Sequence, residues 1–385
     1  MKTSANVVII GGGIQGTSVA YHLAERGVRD IVLVEADMVG SGSSGRSAAM
    51  ILLQESREQT IRMSQVSFKE YLGFEEEFGA DIGYKPIGYL TVATQEVADE
   101  LRAQVELQRR FGVPVESLSP SDLARLIPAV NLADIVFGSV CWQDGVIDPH
   151  SVMQAYIQHA RRLGTEINEK VEATGIVVEK GCVVAVETTA GRISTPLVVN
   201  AAGARAAQVG AWVNVRLPIT NYKRSIFVTD RFDAIPEDSP FVMDLAAEWY
   251  FRKEGKGVLM GMGREESTTF EPQLEWEFLD AIIERAMHRA PILANARVMR
   301  GWAGLRSLTP DDYPILGPVP NVAGFINACG WGGHGVMHAP IGGQLVAEWI
   351  ADSKTTTMDI APFLLERFGG ENAIGENGTS PRPED

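Results

Sequence analysis

Cysteine is scarce in this chain: Cys141, Cys182 and Cys329 are the only three among 385 residues. They are far apart, odd in number and without CxxC spacing, which argues against a disulfide framework or a cysteine-built metal site. Three buried small hydrophobic side chains are expected instead. Basic residues are also in deficit: 34 lysines and arginines against 49 acidic residues leave a net charge of −15. Such a surface repels nucleic acid and anionic membranes. No apolar run reaches the roughly 18 residues of a membrane span. The first run, from Val7, is broken at once by glycines, so no signal peptide is expected. A cytoplasmic protein without nucleic-acid or membrane partners and without a metal is the expectation.

What is abundant is glycine, 39 residues, in a chain that is 45% hydrophobic. That composition supports a buried core with many tight turns. Val7 to Ile10 is a short apolar strand, Ile14 to Arg26 has helical spacing and Ile31 to Val34 is a second apolar strand, so the chain opens on a β-α-β unit. Between Pro218 and Gly263 the segments SIFVTD, FVMDL, WYFRK and VLMGM have strand character and predict an antiparallel sheet. The fold class expected is α/β (α+β). A Rossmann-like domain with a mixed or parallel sheet is assembled from residues 1–85, 145–215 and 300–368. An antiparallel-sheet substrate domain takes 86–144 and 216–299, and 369–385 reads as a polar disordered tail.

Between the first strand and the first helix lies GGGIQG. Gly11 permits the tight turn, Gly13 lets a pyrophosphate approach the backbone, and Gly16 lets helix and strand pack closely. The amides of Ile14 and Gln15 and the helix dipole would face the phosphates. Glu35, followed by Ala36, ends the second strand, where an acid takes ribose hydroxyls. This grammar leaves NAD and FAD undistinguished. Just beyond it, GSGSSGRSAAM places Ser41, Ser43, Ser44, Arg46, Ser47, Ala48, Ala49 and Met50 in a run of mostly small residues suited to a bulky cofactor. A second glycine-rich stretch, GWGGHG, precedes a helix with Pro340 in its first turn. Gly332, Gly333, His334, Gly335, Val336 and Met337 could meet the other end of one long ligand.

These segments, with DGVIDPHSV (144–152), VVNAAGA (198–204) and WAGLRSLTPDDYPILG (302–317), resemble the D-amino-acid oxidase superfamily of FAD enzymes. The likeness is to its branch of sarcosine oxidase, glycine oxidase, dimethylglycine dehydrogenase and dye-linked proline dehydrogenase, and it covers the chain to about Ile350. The resemblance implies FAD and oxidation of a carbon–nitrogen bond in a small amine or amino acid. It implies that Val171 holds adenine through its backbone, that Gly203 lies near the pyrophosphate or ribityl chain, with Ala201 and Ala202 also at the cofactor, and that Ser41, Ser44 and Arg46 line the flavin. Members that attach the flavin covalently use a histidine where this chain has Arg46, or a cysteine where it has Ala303, Gly304 and Leu305. Non-covalent FAD is therefore expected. A lysine of the monomeric oxidase is replaced by Met337, which favours a dehydrogenase, although Arg46 or Lys223 could supply the missing charge.

Arg306 is the candidate for the substrate carboxylate, because a guanidinium fork pairs with it bidentately. An ion pair with Asp311 or Asp312 is the structural alternative for that arginine. Tyr250 is a candidate substrate contact or a core aromatic, and His334 a candidate at the flavin edge. Two other functions stay open: an FAD-dependent hydroxy-acid dehydrogenase, and the flavin subunit of a multi-subunit amino-acid dehydrogenase with partner chains or a separate electron acceptor.

Overall fold

In the computed structural model, residues 1–267 and 269–369 are described. The tail expected to be disordered lies, past Gly369, outside them. Two large sheets organise the chain. The first runs Gly191–Ser194, Cys182–Thr188, Val322–Cys329, Val198–Asn200, Val7–Ile10, Ile31–Glu35, Glu166–Glu169, with Ile315–Val319 and Ala173–Glu179 paired alongside. Its central strands are parallel and fully buried, as continuous apolar runs such as VVII and IVLV require. Helices Ile14–Glu25 and Ala339–Asp352 cross each other closely there. A Cβ at Gly343 would sit 2.2 Å from Ser18 Oγ, which instead donates to the Ala339 carbonyl at 2.7 Å.

The second sheet runs Val298–Leu308, Thr220–Thr229, Gly257–Glu266, Trp249–Glu254, Phe241–Asp244, Tyr89–Thr94, Ile135–Cys141, Glu116–Leu118. It was expected to be antiparallel; one pair, Phe241–Asp244 with Tyr89–Thr94, is parallel because a long excursion rather than a hairpin joins these strands. The expected boundary at residue 300 cuts the strand Val298–Leu308, whose whole length pairs with Thr220–Thr229. Alternation separates the sheet's faces. Phe227, Val242, Trp249 and Phe251 pack behind it with helix Phe278–Arg289, while Ile226, Phe241 and Tyr250 point to the other side with Ala48, Met50 and Trp302.

The DGVIDP segment explains how the 41–50 loop is held. Met50–Ile51 pairs with Gly145–Val146, and Gly145 passes so close to the Lys85 carbonyl that a Cβ would lie 2.2 Å from it. Asp148 caps helix Pro149–Arg162 by accepting from the His150 and Ser151 amides. Asp144, fully buried, accepts from the Leu53 amide at 2.7 Å and from Gln54 Nε2 at 3.0 Å. Burial pushes its carboxyl up to about 7 against the pull of those donors. The folded state therefore holds a proton that the unfolded state releases above the ordinary carboxyl value of 3.8. This group stabilises fully below that value, and its contribution is lost as pH rises toward about 7. Asp144→Asn should remove a fall in stability of up to about 1.4 kcal/mol per pH unit across that window. Urea midpoints of the two proteins from pH 4 to 7 test it; parallel pH profiles would refute the assignment.

The three cysteines were expected to be buried. Cys141 and Cys329 are, but Cys182 is exposed, since it opens a strand directly after the Lys180–Gly181 turn. Among the described residues no helix is long and apolar enough to cross a membrane.

Candidate functional site

A cavity of about 1030 Å³ lies between the two sheets, at the upper end of the range typical of small-molecule sites. Gly11, Gly13, Ile14, Gln15, Glu35 and Ala36 line it from the β-α-β unit. Gly11, at φ +111°, makes the turn, and a Cβ there would stand 2.4 Å from the Ala201 carbonyl oxygen. Gly16 is not in the lining. Its hydrogen faces the Gly11 carbonyl oxygen, 1.9 Å from where a Cβ would be, so it serves helix–strand packing. Glu35 accepts from the Gly12 amide at 2.6 Å and the Asp37 amide at 2.9 Å, which fixes its carboxylate and leaves lone pairs for a ligand.

Ser41, Ser43, Ser44, Arg46, Ser47, Ala48, Ala49 and Met50 form a second wall. Ser44 Oγ accepts from the Ile14 amide at 3.0 Å, tying this loop to the first helix turn. The Arg46 carbonyl accepts from Trp302 Nε1 at 3.0 Å, and Gly304 leaves room for the Arg46 backbone. Ala201, Ala202 and Gly203 line the cavity, and a Cβ at Gly203 would meet nothing within 4 Å. Val171 is not in the lining; its amide donates to the Glu35 carbonyl at 2.8 Å, while Glu172 and Ala173 reach the wall.

Gly332, Gly333, His334, Gly335, Val336 and Met337 complete the far end. They form a turn ahead of helix Ala339–Asp352, so the cavity meets the turn and not the helix's first residues. Gln15 Nε2 donates to the Gly335 carbonyl at 2.8 Å, joining the two glycine-rich segments, and Gln15 Oε1 is buried without a partner. His334 Nε2 stands 3.6 Å from Oε1 of the buried Glu55. Behind it His338 bonds Ser64 Oγ at 2.9 Å, and burial, with His334 nearby, holds its imidazole well below the usual range.

The sheet's cavity face carries Tyr89, Arg224, Ile226, Phe241, Met243, Tyr250 and Arg306. Arg306 lies against Gly333, whose missing Cβ leaves 3.0 Å to the guanidinium carbon, and the Gly332 amide donates to the Ser307 carbonyl at 2.9 Å. The carboxylates weighed as its structural partners face other arginines: Asp311 pairs with Arg367 at 2.7 Å and Asp312 with Arg57 at 3.9 Å. Tyr250 is 2% exposed, lies across Gly261, and has a buried hydroxyl without a partner. Tyr89, Phe241 and Tyr250 stack in sequence at 4.7 and 5.1 Å. Burial raises the Tyr89 hydroxyl, while the charges of Arg306 and Arg224 oppose that rise. Lys223, weighed as a cation near the flavin, pairs with Glu275 and does not line the cavity. Sequence reading missed Tyr89 and Arg224. Strand alternation could have put Arg224 on the face of Ile226, but not beside Arg306, because register between distant strands is not written locally.

The FAD dependent oxidoreductase (DAO) family model matches residues 6–349. The chain is 31% identical over 388 residues to mitochondrial sarcosine dehydrogenase of Mus musculus, covering 96% of this chain but only 42% of that protein. It thus spans less than half the length of that relative. It is 28% identical to sarcosine oxidase subunit beta of Arthrobacter sp, covering 98% of this chain and 95% of that one. Among solved structures, L-proline dehydrogenase from P. horikoshii superimposes with a TM-score of 0.88 at 29% identity, covering 96% of this chain and 98% of the other. Glycine oxidase from Geobacillus kaustophilus gives 0.85 at 27%, covering 95% and 99%. FAD fits the residues present: a cavity lined by both glycine-rich segments, an open cradle at Gly203 and an acid at the ribose position. The chain belongs to the DAO family of FAD-dependent oxidoreductases.

Proposed function

We propose that this protein oxidises a carbon–nitrogen bond in a small secondary or tertiary amine or amino acid of the sarcosine, glycine or proline type. The carrying observation is that the dinucleotide loop, the second glycine-rich turn, Arg306 and Tyr250 converge on one cavity. When bound, FAD supplies the hydride acceptor, its N5, for the C–H beside nitrogen, and the imine left behind is hydrolysed by water. Arg306 holds the substrate carboxylate. Tyr250, whose hydroxyl is otherwise unsatisfied, offers a second polar contact. His334, with Glu55 at 3.6 Å, takes the ammonium proton so that a neutral amine faces the acceptor. Anaerobic bleaching of the flavin by a panel of N-methyl and cyclic amino acids tests this reading; 2-hydroxy acids bleaching in their place would overturn it.

The flavin is held without a covalent bond, since Arg46 and the Ala303–Gly304–Leu305 stretch stand at the two attachment positions of the family. Acid precipitation should release all the yellow colour, and flavin left on the denatured chain would contradict it.

Met337, 4% exposed on the cavity wall, supplies no positive charge where the monomeric oxidase has lysine. A cation stabilises the superoxide formed when reduced flavin meets oxygen, so a dehydrogenase using a dye, quinone or partner protein is proposed. In stopped flow the substrate-reduced enzyme should reoxidise in air more slowly than it turns over with a dye, and Met337→Lys should speed it. Reoxidation as fast as turnover would make the protein an oxidase. A place as flavin subunit in a larger enzyme is supported by the 95% coverage of the Arthrobacter protein named a subunit; partners co-purifying with the native chain would establish it.

A further inference from the structure

The second glycine-rich turn is held from behind by helix Glu58–Leu72, none of whose residues lines the cavity. Residues 64, 67 and 71 share one face of that helix by their spacing. Each bonds to the segment that runs from the turn into helix Ala339–Asp352. Ser64 Oγ is 2.9 Å from His338 Nε2, and Ser67 Oγ accepts from the Ile341 amide at 3.3 Å. The Tyr71 hydroxyl donates to the Val336 carbonyl at 2.5 Å. All three side chains are buried, whereas Val336 and Met337 stand on the cavity wall.

The Tyr71 bond sets a direction. A trans peptide is planar, with its N–H opposite its C=O. With the Val336 carbonyl drawn to Tyr71, the Met337 amide of the same peptide points away from helix Glu58–Leu72, to the cavity side. A second donor to that carbonyl, the Ala339 amide, stands farther off at 3.2 Å. Burial and the charge of Glu70 hold the Tyr71 hydroxyl well above its usual range, so at neutral pH it stays protonated and donates. From the first helix, Gln15 and Ser18 take the Gly335 and Ala339 carbonyls. Gln15 lines the cavity itself, so a change there would mix contact with placement. Tyr71 acts only through the turn.

We infer that Tyr71, with Ser67 and Ser64 beside it, is a positioning residue for the bound flavin: it aims the Met337 amide at the ring, where that donor favours the electron-rich reduced form over the oxidised one. The inference rests on FAD occupying this cavity and asks nothing of the substrate.

The midpoint potential of the FAD-loaded protein, titrated with dithionite against a reference dye, tests it. Tyr71→Phe keeps the ring against Phe74, 6.3 Å between centres, and removes only the donor. Reduced flavin should lose about ten-fold more affinity than oxidised flavin, as for one misdirected bond to a charged acceptor. That is a fall of about 30 mV in a two-electron potential. Tyr156→Phe is the control. Its hydroxyl donates to Glu70 at 2.5 Å within the same buried cluster, not to the turn, so its loss should cost stability and leave the potential native. An unchanged potential in folded Tyr71→Phe overturns the inference, since the bond would then be structural alone. Equal falls in the two variants overturn it too, because they would report a general loosening of the cluster. Should Tyr71→Phe not hold FAD, Ser67→Ala, which frees the Ile341 amide from the same face, decides by the same measurement: a smaller fall supports the inference and none defeats it.

Discussion

Arg306→Ala should keep its flavin and its fold but lose substrate affinity by about 2–5 kcal/mol, as when one member of a desolvated charge pair is removed. The side chain rises from an internal position of strand Val298–Leu308, and its guanidinium packs on Gly333, so its place is set by backbone on two sides. The dinucleotide loop is joined to the far turn by Gln15, which donates to the Gly335 carbonyl. The loss should therefore appear in KM and in the dissociation constant of unreactive carboxylates, with the flavin spectrum of the resting enzyme retained. Arg306→Lys should recover little, since an ammonium lacks the planar fork. A folded Arg306→Ala protein with nearly native KM would remove this residue from the substrate site.

The second large effect is expected far from the chemistry. Arg289, 2% exposed, donates through Nε to Asp244 at 2.7 Å and through its two terminal nitrogens to Asp134 at 2.7 and 3.1 Å. Asp244 is itself 1% exposed and ends the strand that carries Phe241 and Met243 to the cavity floor. Arg289→Ala leaves that carboxylate buried beside a void. Removing one partner of a buried pair costs about 3–5 kcal/mol, and urea denaturation should show a loss of that size. The double variant Arg289→Met with Asp244→Asn should lose less than Arg289→Met alone, because it leaves no buried carboxylate unpaired; Asp134, 41% exposed, stays in contact with water. A single-variant loss below about 1 kcal/mol would mean that the pair is relaxed or wet.

The parts of this protein that announce themselves in sequence are those whose physics is local. A glycine forced to φ +111° at position 11, a helix opening on Gly13 and an acid closing the next strand lie within 25 residues of one another and can be read together. The long strands around Tyr250 are likewise legible from alternation. The short strand Glu116–Leu118 and the pair Met50–Ile51 with Gly145–Val146 are not, because two or three residues carry no period and owe their pairing to partners distant in sequence. The buried Asp144 and Arg289 were illegible for the same reason: their donors and acceptors come from Leu53, Gln54, Asp134 and Asp244. Arg224 was not singled out; alternation gives it the face of Ile226, but only the register against Gly304 sets it beside Arg306.

The bond between Gln15 and Gly335 spans 320 positions of chain, and the strand Val7–Ile10 pairs with Val198–Asn200, which pairs in turn with Val322–Cys329. During synthesis, at about 5–20 residues per second, the glycine loop emerges 320 residues ahead of the turn that faces it. Until then Val198–Asn200 pairs with Val7–Ile10 on one side and leaves its other edge open, and apolar edges of that kind invite association. A complete cofactor cradle then has to wait until Val322–Cys329 docks between Cys182–Thr188 and Val198–Asn200, strands made long before it.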